Sequence, residues 1–251
     1  MYLLQFSIFV TGGIQLLSLT FLEMKRDLSP KNILLGCWIL GTFIFSTYFN
    51  WCTNARTLLP MLPAVSILLI RRLDFLYNLK KRKTKILFLL FLMPITLTSL
   101  FIGYADKKNA NAQKIVAEKI THALKDYSGE IYFQGHWGFQ YYMESLGHIP
   151  FNINKPQVKK GDIIISPLNN TNVKSLGGKY YWSIGSLQII PCPWLTTHSR
   201  KNKVSLYSGY WGLLPFVFTK VEPDLYMISI FGNFSSDKEA MAFFQENCFF
   251  P

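Results

Sequence analysis

Arg56 stands alone as a cation in the stretch NWCTNARTLLPMLPAVSILLI, Asn50 to Ile70. Asn50, Thr53 and Asn54 lie just ahead of it and an apolar run lies behind. A guanidinium is planar and presents its donors as a fork that matches two oxygens of a phosphate, and neighbouring amides can orient the same anion. Arg56 with Asn54 and Asn50 therefore reads as a grip for a lipid phosphate. A simpler reading is also open: an interfacial arginine whose alkyl stem lies on apolar surface while its charged head reaches water.

A second group sits in IYFQGHWGFQYYMESLG, Ile131 to Gly147. His136 and Trp137 lie between Gly135 and Gly138, where a short apolar strand gives way to a helical pattern. An imidazole and an indole at a helix N-terminus suit an anion or a sugar, with Gln134 as a third contact. The plainer alternative is a packed turn with an internally satisfied histidine.

Other chemistries find no support in the residues. There is no phosphate-binding P-loop, no dinucleotide fingerprint, no G-x-S-x-G and no zinc spacing among His122, His136, His148 and His198. No metal and no cofactor is expected. Cys192 and Cys248 could pair if their region is exported, and free thiols fit equally. The apolar runs carry no internal carboxylate, so no proton relay or intramembrane ion site is implied.

The elements that hold these residues divide the chain in two. Residues 1–104 carry long uncharged runs at about 2–22, 33–49, 57–70 and 86–104, each a candidate transmembrane helix against a hydrocarbon core of roughly 30 Å. Gly12-Gly13 in the first suits close helix approach. Pro60 and Pro63 fall in the first turns of the third, where missing N–H donors cost least. Pro94 predicts a kink in the fourth. Residues 105–251 read as a small α/β extracytoplasmic domain. Its signals are a helix over Ala112 to Tyr127, strands at Ile131–Phe133, 162–165 and 225–231, a helix ending at Gly147, and a capping box at Ser236–Glu239 that opens a last helix. The strand–helix order predicts a parallel core, with loops over 167–203.

The formal net charge is +12, and residues 1–104 hold 11 Lys/Arg against 3 Asp/Glu. The excess sits in the short loops 25–32 and 71–85. That pattern orients membrane proteins and attracts anionic lipids, and it does not imply nucleic acid. Counting positive loops as cytoplasmic puts the 50–56 turn, Met1 and everything after Tyr104 outside. An outside first residue implies further spans upstream, so the chain is expected to be the C-terminal part of a longer protein.

With Asn54, Arg56, Leu58, Leu59, Pro60 and Pro63 the chain carries the pattern N-x-R-x-L-L-P-x-x-P. This resembles the late membrane spans of bacterial type-C glycosyltransferases, the protein-mannosyltransferase-like and lipid A aminoarabinose-transferase-like membrane proteins. GGIQLL, LGTFIF, the Ile131–Gly147 segment, GDIIISP and YWGLLPF are similar to the rest of one such subgroup. The resemblance implies transfer of a sugar from a polyprenyl-phosphate-linked donor to an envelope glycan, lipid or protein acceptor, on the outer side of a bacterial inner membrane. It implies that Arg56 steadies the lipid phosphate and that the catalytic carboxylate lies in a first external loop. No residue of this chain matches that loop, so no catalytic residue is assigned and the chain alone is expected to be inactive. The alternative is a non-catalytic membrane-anchored α/β binding protein or a subunit of an envelope polysaccharide or export system.

Overall fold

A computed structural model describes residues 2–51, 54–79, 81–152, 154, 157–176 and 180–247. The chain divides into two compact units: residues 1–106 with 193–221, and residues 107–192 with 222–251. The boundary expected after Tyr104 thus falls two residues later, and the 193–221 segment groups with the apolar helices.

In the first unit, α1 (Tyr2–Arg26) ends on Lys25 and Arg26, cations that favour the carbonyl end of a helix. Asp27 builds the turn that follows: its carboxylate accepts from the Ser29 backbone N–H, the Ser29 hydroxyl and the Asn32 amide. Pro30 then opens α2 (Pro30–Ile44), which ends in a π-helical turn, Phe45–Phe49. Beyond Asn50 the chain forms a four-residue helix α3 (Ala55–Leu58), a 3-10 turn (Leu59–Met61) and α4 (Leu62–Tyr77).

The two prolines cause that break. Pro60 and Pro63 lack the N–H groups that would serve the Arg56 and Leu59 carbonyls. Those carbonyls accept instead from Leu59 and Leu62, three residues on, which tightens the chain into 3-10 geometry. Side chains of α2 and its π turn complete the arrangement: Trp38 donates to the Pro60 carbonyl at 2.9 Å and Ser46 to the Thr57 carbonyl at 2.9 Å.

Among the described residues, three helices rather than the expected four are long and apolar enough to cross a membrane: Tyr2–Arg26, Pro30–Phe49 and Arg82–Ala123. The third expected span is the broken one, and its intact part, α4, has only 16 residues. The last expected span and the helix after it are one element, α5 (Arg82–Ala123), which continues through Pro94. Gly12 and Gly13 have open space where a Cβ would go. Close approach occurs at Gly36, where a Cβ would meet the flexible end of Met24. Leu35 and Ile39 of α2 pack on Ala64, Val65 and Leu68 of α4, with Leu16 and Leu19 of α1 against them. At the end of the helices where α1 finishes, Arg72 pairs with Glu23 at 3.0 Å and Arg71 donates to Asn32 at 2.8 Å. Part of the basic surplus is therefore paired with residues of α1 and α2.

The second unit holds a five-stranded sheet: β1 (Ile131–Phe133), β2 (Ile149–Pro150), β3 (Ile163–Pro167), β4 (Tyr181–Ile189) and β5 (Asp224–Phe231), in the order β2-β1-β3-β5-β4. β1 runs parallel to β2 and β3, as the strand–helix alternation requires. The other half departs from the expected parallel core, because β5 is antiparallel to both β3 and β4. β4 lies inside the stretch expected to be loop. Trp182 and Ile184 alternate toward the core up to a bulge between Ser183 and Gly185, and Leu187 and Ile189 do so after it, so the apolar alternation slips out of phase within the strand. Ile163, Ile164 and Ile165 are fully buried, as befits a strand covered on both faces.

Val116, Ala117, Ile120 and Leu124 pack with Phe139 and Met143 of α6 (Trp137–Ser145) over this sheet. α6 stops as its sequence predicts. Gly147 takes φ +87°, its N–H reaches the Glu144 carbonyl, and the His148 N–H reaches that of Met143, closing a Schellman motif. α7 (Asp237–Asn247) opens on a reciprocal cap: the Ser236 hydroxyl accepts from the Glu239 N–H, and the Glu239 carboxylate accepts from the Ser235 N–H. Cys192 is buried; its candidate partner Cys248 lies outside the described residues.

Asp162 is a buried carboxylate that ties two turns together. One oxygen accepts from the Glu130 N–H at 3.1 Å and the other from the Lys159 N–H at 2.7 Å. Replacing it by alanine takes the acceptor from both half-buried hydrogen bonds. Asp162→Ala is expected to lower stability by about 2 kcal/mol in urea titrations, and Asp162→Asn by less. A change of under about 0.5 kcal/mol in Asp162→Ala would contradict this role.

Candidate functional site

The residues singled out in the sequence fall in different units. Asn50 closes the π turn, its N–H bonded to the Phe45 carbonyl at 3.0 Å. Asn54 is the N-cap of α3, its side chain accepting from the Thr57 N–H at 3.2 Å. Arg56 is exposed on that short helix. Gln134, His136 and Trp137 belong to the other unit.

In that second unit, Gln134 is only 5% exposed. Its amide nitrogen donates to the Ser166 hydroxyl and the Lys174 carbonyl, and its oxygen accepts from the Lys174 N–H. Gln134 thus pins the 174 region to β1 and directs no amide hydrogen toward a ligand. His136 is clamped by Asn170, which accepts from its N–H at 2.9 Å and donates to its carbonyl at 3.1 Å. Its Nδ1 lies 3.0 Å from the Gln140 side-chain oxygen. Trp137 follows at φ +62° with its side chain 47% exposed. That conformation is costly for a bulky residue, and the Asn170 clamp on the preceding peptide helps to hold it.

Around Arg56 the first unit gathers residues that no local pattern announces. The guanidinium carbon lies over the Tyr207 ring at 5.0 Å. The Tyr207 hydroxyl donates to Asp106 Oδ2 at 2.5 Å, and the Thr197 hydroxyl donates to Asp106 Oδ1 at 2.7 Å. Asp106 is the first acidic residue after the long apolar run of α5, and Tyr207 directly precedes the aromatic run 208–216.

The segment carrying Thr197 and Tyr207 is held by two short antiparallel ladders, Leu195–Thr196 with Val217–Phe218 and His198–Ser199 with Val204–Ser205. It packs on the first turns of α1 and on α5. Gln5 exchanges two hydrogen bonds with the Phe218 backbone, the Phe9 ring meets Phe216 edge-on at 5.4 Å, and Phe101 meets Trp194 at 5.5 Å. A groove of about 600 Å³ takes in Asn54, Ala55 and Leu58, the chain neighbours of Arg56, while Arg56 itself is not among its lining residues. Its other lining residues are Phe9 and Trp51 and, from the 193–221 segment, Ser205, Gly209, Tyr210, Gly212, Leu213 and Pro215. Apolar walls next to a cation suit an amphiphile with an anionic head. Among the described residues Arg56 forms no ion pair, and no cluster able to hold a metal ion occurs.

Loss of solvent, then the hydrogen bond to Asp106 and that carboxylate's charge, push the Tyr207 phenol up to about 12, while Arg56 pulls the other way. Tyr207 is thus a neutral donor at ordinary pH. A phenol whose folded value lies above its unfolded value of 10.0 holds its proton more tightly when folded. Its contribution to stability is complete below pH 10 and is lost as pH rises through about 12. The phenolate absorbance of wild type minus Tyr207→Phe is expected to rise near pH 12; a rise at pH 10 would contradict the buried, carboxylate-bound state.

No family model, curated protein or solved structure matches this chain.

Proposed function

We propose that the chain handles the donor lipid of a membrane glycosyltransferase. That enzyme would move a sugar from a polyprenyl-phosphate carrier to an envelope acceptor on the outer side of a bacterial inner membrane. The observation that carries this reading is an exposed Arg56 on the short helix whose Ala55 and Leu58 line an apolar groove of about 600 Å³. Isoprenoid units would lie along Phe9, Leu58 and Leu213, and the phosphate would meet the guanidinium. In the transfer step Arg56 would stabilise the charge that develops on the departing phosphate. The base that takes the acceptor's proton is not assigned to this chain. Both Asp106 oxygens accept from hydroxyl groups, which suits support rather than proton abstraction.

The proposal includes orientation and span number. The broken third segment would serve as a fourth, proline-interrupted span, with Arg71, Arg72 and the 81–85 cations on the cytoplasmic side. The groove and the second unit would then lie outside. Farnesyl phosphate, the shortest convenient probe with both features, should bind the full chain in nanodiscs more tightly than farnesol does. Equal affinity for the two would sink the phosphate reading.

A non-catalytic subunit of an envelope polysaccharide or export system is the second reading. The inward use of the Gln134 amide favours it, because a buried, satisfied side chain has little left to offer an acceptor. Release of free polyprenyl phosphate from the sugar-loaded lipid by the complete enzyme system, and its loss in Arg56→Ala, would separate the transferase from this alternative.

A further inference from the structure

We propose that Tyr207, anchored by Asp106, is a positioning residue that holds the Arg56 guanidinium ready for an anion; this rests on the phosphate reading above. Arg56 sits exposed on a four-residue helix. A long side chain there samples many rotamers, and a bidentate grip needs one of them. The ring face of Tyr207, 5.0 Å from the guanidinium carbon, is within the range of a cation–π contact.

The choice of partner has a chemical consequence. A carboxylate bonded directly to Arg56 would occupy the N–H fork that a phosphate needs. A ring face attracts the cation through its π electrons and leaves those N–H donors available. Asp106 meets the phenol hydroxyl at the edge of the ring and forms no ion pair with the arginine. Its two oxygens are taken by the Tyr207 and Thr197 hydroxyls at 2.5 and 2.7 Å. The carboxylate thereby fixes the ring, and accepting the phenol's hydrogen bond makes the ring a richer electron donor to the cation. Thr197 is fully buried, so the anchor rests on a packed element.

The test is a mutant cycle on the full chain in nanodiscs of zwitterionic lipid, with farnesyl phosphate, inorganic phosphate and farnesol as probes. Tyr207→Leu is expected to weaken farnesyl phosphate about 3- to 10-fold, and Tyr207→Phe, which keeps the ring, less. In an Arg56→Ala background Tyr207→Leu should cost nothing more, because it acts through the arginine. Farnesol affinity should be the same in every variant, which a merely structural role would not give. Tyr207→Met, also ring-free, serves where Tyr207→Leu does not fold. Inorganic phosphate separates a bare anion site from a lipid-headgroup site, and the same non-additive pattern with either probe supports positioning. Additive losses, or equal losses for farnesol, overturn it. If Arg56→Ala weakens farnesyl phosphate while both ring-free variants do not, positioning alone falls. If Arg56→Ala changes nothing, the phosphate reading falls and positioning falls with it.

Discussion

Arg56→Ala is expected to weaken farnesyl phosphate binding by about 10- to 100-fold while leaving farnesol binding and membrane insertion intact. The magnitude is that of one or two charge-assisted hydrogen bonds from a guanidinium to a phosphate. Selectivity between the two probes is the sharper readout. Both carry the same isoprenoid chain and both can use the groove walls Phe9, Leu58 and Leu213; the phosphate alone needs the cation. Stability should hardly change, because Arg56 is exposed and, among the described residues, forms no ion pair. Arg56→Lys is expected to fall between, since an ammonium keeps the charge and loses the planar fork. An unchanged preference for farnesyl phosphate in Arg56→Ala would transfer the anion to some other residue.

Gly212→Val is expected to unseat the groove wall itself. A Cβ at Gly212 would overlap the Lys203 carbonyl and crowd the Val204 nitrogen. Neither can yield cheaply. The Lys203 carbonyl accepts from Tyr2 of α1, Val204 is fully buried, and Ser205 pairs in the ladder with His198. Backbone rather than a flexible side chain must move, so the cost is placed at about 3 kcal/mol or more, the upper end for overpacking. Limited trypsin digestion reads it directly, as new cleavage at Arg200, Lys201 or Lys203. Farnesyl phosphate and farnesol should weaken together, which distinguishes wall damage from loss of the cation. Wild-type trypsin resistance in Gly212→Val would show that the segment tolerates a side chain there.

Different parts of this molecule were legible in the sequence to different degrees, and the reason is range. The glycine stop of α6, the cap of α7, the strands β1, β3 and β5 and the apolar runs of α1, α2 and α5 depend on contacts a few residues apart. Spacing and residue type reveal them. The third span was readable as apolar but not as broken, because two prolines in a first turn are compatible with either outcome until neighbouring side chains such as Trp38 and Ser46 donate to the Pro60 and Thr57 carbonyls. β4 was invisible for another reason: it is an edge strand whose apolar alternation is thrown out of phase by a bulge, defined by its ladder to β5.

The candidate site repeats that division. Residue chemistry alone picked out Arg56 as a cation at an apolar boundary. Asn54, chosen for the same grip, caps α3 with its side-chain oxygen, a role its position before a helix would equally suggest. Only the tertiary structure decided that Arg56 faces Tyr207, and that Tyr207 bonds an aspartate 101 residues earlier. It also decided that 193–221 packs with the apolar helices. The sequence by itself determined which stretches are apolar, where most helices stop and which cation to suspect, because these follow from neighbours along the chain. Which aromatic and which carboxylate stand behind that cation depends on contacts closed across a hundred residues or more, and such contacts leave no period or motif to read.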